Sequence, residues 1–132
     1  MRSLFTAYWT FTKYLDRALK ESGLNVGNPK VVLYLMDHEG CNQKELAENC
    51  YVETATLSTV LSNMESSGLI ERKKLETDKR TYAIYPTEKG RRIIESVRRK
   101  LEETIDDALC DFSDREKGLL REYLERVTDN LT

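Results

Sequence analysis

The chain has one histidine and three cysteines among its 132 residues. Cys41, Cys50 and Cys110 lack the spacing of a zinc site, and a lone His38 cannot supply the missing ligands. Their odd number also argues against a disulfide framework and favours reduced thiols in a cytoplasmic protein. We therefore expect no metal and no other cofactor. For the cysteines we expect burial as small apolar residues, with a reactive thiol sensor as the alternative.

Long apolar runs and catalytic motifs are also missing. No uninterrupted apolar stretch approaches the ~18 residues that a membrane span needs, so no membrane partner is expected. The first residues show polar side chains every third or fourth place and no small-residue cleavage site, which is not the pattern of a signal peptide. No nucleophile–base set or phosphate-binding glycine loop appears, so the sequence does not predict an enzyme.

Charge is distributed unevenly although the net charge is only −2. Residues 1–70 carry 6 basic against 8 acidic residues, residues 71–100 carry 11 against 5, and residues 101–132 carry 4 against 10. The middle block is therefore +6, whereas the C-terminal block is −6. A basic block of this kind indicates a polyanionic partner, although a solvated helix surface is the alternative.

Capping residues mark the predicted helix starts, and apolar residues recur behind them at three- to four-residue steps. These caps are Asn28 before Pro29, Asn42 with Glu45, Thr87, and Ser113 with Glu116. The predicted helices span about 3–22, 29–40, 42–50, 54–67, 87–109 and 113–131. Residues 69–75 and 81–85 read as two strands around a polar tip. The predicted fold is mostly α with a small β-hairpin (α+β).

A short helix pair followed by a basic hairpin can present one helix and one hairpin to a DNA duplex. Short polar side chains on helix 54–67 are candidates for base contacts in the major groove. They are Thr54, Thr56, Ser58, Thr59, Ser62 and Asn63. The candidates for minor-groove and phosphate contacts are Arg72, Lys73, Lys74, Lys79 and Arg80, followed by Lys89, Arg91 and Arg92. Asp78 would repel phosphate, so we expect it to orient Arg72 or Arg80.

Residues 54–90 resemble the MarR (multiple antibiotic resistance regulator) family. The motifs that carry the resemblance are Thr56, Glu65 with Gly68-Leu69-Ile70-Glu71-Arg72, Asp78-x-Arg80, and Thr87-Glu88-Lys89-Gly90. The resemblance implies one MarR-like domain over 1–132, with a winged helix-turn-helix lobe at 28–86 and helical dimerisation regions at 1–24 and 87–132. Helix 54–67 would enter the major groove, and the hairpin 69–85, called the wing from here on, would reach the flanking minor groove. Thr59 and Asn63 stand where the family often has Arg, so this helix presents no positive charge.

The resemblance further implies a homodimeric transcription regulator of palindromic double-stranded DNA. Many relatives are repressors released by a small aromatic or anionic effector. Tyr8, Trp9 and Phe11 are candidates for an effector pocket, with plain core or interface packing as the alternative. The apolar faces of the first and last two helices also predict a dimer, against an intrachain three-helix core. The alternative function is a winged-helix protein-interaction module without specific DNA binding.

Overall fold

The computed structural model describes residues 2–24 and 26–132. Over these ranges the chain forms six helices and three short strands. They are α1 (Arg2–Glu21), α2 (Pro29–Asp37), β1 (Cys41–Asn42), α3 (Gln43–Cys50), α4 (Thr54–Ser66), β2 (Ile70–Lys74), β3 (Tyr82–Pro86), α5 (Glu88–Ala108) and α6 (Asp114–Asp129). None of the helices in the described ranges has a stretch long and apolar enough to cross a membrane.

Side-chain caps begin four of the helices, as the sequence predicts. The side chains of Asn42 and Ser113 each accept a hydrogen bond from the amide three residues on, and the carboxylate of the glutamate at that position accepts one from the cap amide. Asn28 and Thr87 cap α2 and α5 through their side-chain oxygens. These bonds satisfy backbone N–H groups that a helix otherwise leaves unpaired, and they place the starts within two residues of the predicted ones.

The predicted hairpin is present but belongs to a three-stranded sheet of order β1-β3-β2. Ile70 lies opposite Pro86 and Lys74 opposite Tyr82, so β2 and β3 pair antiparallel along their whole lengths. The third strand, β1, pairs with the other edge of β3 and was not predicted. Two residues are too few to show strand alternation, and the second of them, Asn42, is also the helix cap of α3.

The core lies between α2, α3, α4, the sheet and the facing sides of α1 and α5. Its most deeply buried large side chains, each no more than 2% exposed, are Leu19, Val31, Val32, Leu35, Leu46, Leu57, Leu61, Ile84 and Val97. Burial of each such side chain contributes about 1.5–3 kcal/mol. In contrast, no residue of α6 is buried within the described chain. The intrachain three-helix core is therefore not formed, and α6 keeps its apolar face exposed.

Candidate nucleic-acid interface

Helix α4 presents the predicted polar face to solvent. Leu57, Leu61 and Met64 are buried beneath it. All six predicted base-contact residues, Thr54, Thr56, Ser58, Thr59, Ser62 and Asn63, are exposed. Short hydroxyl and amide side chains can both donate and accept hydrogen bonds, which suits the edges of base pairs.

The tip of the wing is closed by Asp78. One carboxylate oxygen accepts a hydrogen bond from the backbone N–H of Arg80, the other from the Thr81 hydroxyl, both at 2.9 Å. These bonds lower the pKa of Asp78. Of the two arginines that Asp78 was expected to orient, it contacts Arg80, and it does so through the backbone amide and not through the guanidinium. Asp78 shapes the turn, and Lys79 and Arg80 project from it exposed.

Arg72 joins the wing to α4. Its guanidinium lies 3.5 Å from the Ser62 hydroxyl and 3.5 Å from a Glu65 carboxylate oxygen. The contact with Glu65 is an ion pair without hydrogen-bond geometry, so the buried Nε atom has no hydrogen-bond partner among the described residues. Arg72 thus lies at the edge of the exposed face of α4, where its charge is paired with Glu65.

A cleft of about 310 Å³ opens between the wing and the start of α3. Arg72, Arg80 and Tyr82 line it from the wing, and Gln43 and Lys44 line it from α3. Lys44 was not among the predicted contacts. The sequence signal for Lys44 is its position two residues after the Asn42 cap, which places it in the first turn of α3.

The two remaining wing lysines lie along β2. Lys73 pairs with Glu71 at 3.0 Å and sits 5.0 Å from the centre of the Tyr85 ring. Lys74 lies 5.9 Å from the centre of the Tyr82 ring. Both side chains are exposed, so these contacts are weak and leave the ammonium groups accessible.

Two predicted phosphate contacts on α5 have protein partners. Arg91 makes a two-pronged ion pair with Glu39, with distances of 3.0 and 2.6 Å, which lowers the pKa of the carboxyl and raises that of the guanidinium. Arg92 pairs with Glu88 one turn earlier at 3.0 Å. A phosphate would have to displace a carboxylate at either position.

The first turn of α5 is bonded to the end of α4. The Thr87 hydroxyl donates to the Gly68 carbonyl at 2.6 Å, and the Thr87 amide donates to the Leu69 carbonyl at 3.0 Å. The Lys89 ammonium donates to the Ser67 carbonyl at 2.9 Å. We call residues 67–69 and 87–90 the α4–α5 junction.

None of the predicted effector residues on α1 is among the residues that line the cleft beside the wing. Tyr8 and Trp9 are exposed and meet edge to face at 5.9 Å. The Tyr8 hydroxyl accepts a hydrogen bond from Lys30 at 3.0 Å. Phe11 packs against the core. The effector pocket stays a prediction.

The cysteines divide into two groups. Cys41 and Cys50 are buried as expected, and burial raises the pKa of Cys41 to about 11. Cys110 is exposed near the end of α5, so the expectation of burial is wrong there. The residue lies in the exposed turn between α5 and α6. Among the described residues no group of three or more His, Cys, Asp or Glu side chains is arranged to hold a metal.

Helices α3 and α4, joined by the turn at Tyr51–Glu53 and flanked by a hairpin, define a winged helix-turn-helix protein. A model of the MarR family matches residues 26–82. The HTH-type transcriptional regulator BilQ of Clostridium symbiosum is 27% identical over 132 residues, covering 96% of this chain and 92% of that protein. Together with the structural likeness below, these matches show that the chain belongs to the MarR family, whose members are transcription regulators and not enzymes.

Two crystal structures illustrate the likeness. The transcriptional regulator PA3341 is 30% identical, with a TM-score of 0.83 and coverage of 97% of this chain and 94% of that one. A MarR family transcriptional regulator from Listeria monocytogenes, complexed with 26mer DNA, is 25% identical with a TM-score of 0.88, covering 98% and 87%. The predicted family, fold class and regulatory function are confirmed.

Proposed function

We propose that the protein is a homodimeric repressor that places α4 in the major groove of a palindromic operator and the wing in the flanking minor groove. The observation that carries this proposal is the position of Arg72, which contacts the exposed face of α4 and lines the same cleft as Arg80 and Lys44. An uncharged helix face and a basic hairpin therefore form one continuous surface. Such a surface combines base contacts with phosphate and minor-groove contacts.

The exposed apolar side chains at the two ends of the chain support the dimer. Phe5 is 71% exposed and Trp9 66% exposed on α1. Leu119, Tyr123, Leu124 and Val127 are exposed along α6. Apolar surface of this extent on a monomer marks an interaction site. A second copy is the partner that suits it, because a two-fold dimer presents two copies of α4 to the two halves of a palindrome.

The test is equilibrium binding of the purified protein to the duplex upstream of its own gene, measured by fluorescence anisotropy from 50 to 200 mM salt. Each phosphate contact adds about 0.9 to the slope of log K against log salt, so six or more contacts predict a slope of about −5 or steeper. Arg80→Ala removes one contact per subunit and should flatten the slope by about 1.8 while weakening binding to every sequence.

Lys20→Ala serves as the matched control, because Lys20 pairs only with Asp16 of its own helix in the described structure. We expect it to leave both affinity and slope unchanged. The absence of any duplex binding at 50 mM salt would instead support the protein-interaction module.

A further inference from the structure

The α4–α5 junction assigns Lys89 a role that its charge alone does not suggest. It belongs to the basic block and was predicted to bind phosphate. Its ammonium instead donates to the carbonyl of Ser67, the cap residue that directly follows α4. A cation at this end of a helix also interacts favourably with the helix dipole.

Other hydrogen bonds at the junction also hold the end of α4 against α5. The carbonyls of Gly68 and Leu69 accept from Thr87, and the Thr87 hydroxyl in turn accepts from the Gly90 amide. The carbonyls of three consecutive residues after α4 are therefore all held by the first turn of α5. The opposite end of α4 has no side-chain cap, because Glu53 makes no capping bond. These bonds hold the C-terminal end of a helix whose buried face is packed through Leu57, Leu61 and Met64. Among the described residues, Lys89 makes the junction bond that uses a long charged side chain.

We propose that Lys89 is a positioning residue, which fixes α4 at the angle needed for the major groove and does not contact phosphate. This proposal rests on the proposed function, since it concerns how the same helix is held. A phosphate contact and a positioning bond can be told apart by the state of the protein in which they act. The first acts only when DNA is present, whereas the second already orders the free protein.

The experiment compares Lys89→Met and Lys89→Arg with the wild type by two measurements. The first is hydrogen exchange of the amides of Ser67, Gly68 and Leu69 in the free protein. The second is the affinity and salt slope for the duplex. Losing one ordinary hydrogen bond changes an equilibrium by about threefold to tenfold. Lys89→Met should therefore speed exchange and weaken specific binding by about that factor, with the salt slope unchanged, and Lys89→Arg should restore both.

The proposal is overturned if Lys89→Met leaves exchange at the junction unchanged, or if it flattens the salt slope by about 1.8, the effect of losing one phosphate contact per subunit. Lys20→Met removes the same charge from α1 and should change neither measurement. If the wild type binds no duplex, the proposed function fails, and the exchange measurement on the free protein still decides whether Lys89 holds α4.

Discussion

Replacing Gly90 by alanine tests the close packing at the α4–α5 junction. Gly90 lies in the first turn of α5, and a Cβ added there would sit 1.9 Å from the Leu69 carbonyl oxygen. Carbon–oxygen contacts in proteins lie at about 3.3–3.6 Å, so the two segments would have to separate by about 1.4 Å. The Leu69 carbonyl also accepts the Thr87 amide bond, which the separation would stretch.

The sign of the effect is opposite to that of an ordinary helix glycine. Gly→Ala in a helix usually stabilises by about 1 kcal/mol. At Gly90 overpacking costs about 1–3 kcal/mol and the lost hydrogen bond about 1 kcal/mol, which leaves a net loss of about 2 kcal/mol. Gly118 in α6 is the matched control, because a Cβ there would meet nothing within 4 Å. Gly118→Ala should stabilise by about 0.5–1 kcal/mol.

The measurement is urea unfolding followed by circular dichroism, at one protein concentration because the stability of the proposed dimer would depend on concentration. We expect the midpoint to fall for Gly90→Ala and to rise for Gly118→Ala. A Gly90→Ala protein as stable as the wild type would refute the tight contact at the junction, and with it the reason for glycine at that position.

Three further predictions concern other parts of the chain. Tyr51 is 83% exposed and has a left-handed backbone with φ 53°, which asparagine adopts more easily than tyrosine. Tyr51→Asn should therefore raise the free energy of unfolding by about 0.5–1 kcal/mol in the same urea assay, and a fall in that free energy would contradict backbone strain at Tyr51. A thiol reagent at pH 7 should modify Cys110 in the folded protein but Cys41 only after unfolding, because at a pKa of about 11 roughly one Cys41 side chain in 10⁴ is a thiolate. Fast modification of Cys41 in the folded protein would support the thiol-sensor alternative. Because the pKa of Asp78 is lowered, its hydrogen bonds stabilise the wing tip at neutral pH, and this stabilisation is lost as the pH falls through the lowered pKa. The chemical shift of the Arg80 amide should therefore titrate below pH 3.8, and titration above pH 3.8 would contradict the hydrogen-bonded turn.

Most of the secondary structure could be predicted from short-range sequence patterns. Caps such as Asn42 with Glu45 act over three residues, so the helix starts could be predicted without knowing the tertiary structure. Strand β1 could not, because its two residues pair with β3, more than forty positions away. The predicted and observed helix bounds differ by a residue or two at most ends, because the terminal turns of helices fray.

The candidate site was predictable in its residue types but less so in its contacts. The exposed face of α4 follows from helical spacing, and all six predicted residues lie on it. The partner of Asp78 depended on which donor lies nearest in the folded chain, and the partners of Lys89 and Arg91 depended on which acceptor lies nearest. For Lys89 that acceptor is a backbone carbonyl, which no side-chain pattern reveals.

Footprinting of the upstream duplex with hydroxyl radicals and dimethyl sulfate shows which grooves α4 and the wing occupy. A two-fold dimer with α4 in successive major grooves predicts two protected major-groove patches about one helical turn apart, each flanked on its outer side by minor-groove protection. Arg80→Ala should remove the outer protection and leave the inner patches in place. A single asymmetric patch, or outer protection that survives the loss of Arg80, would contradict the account.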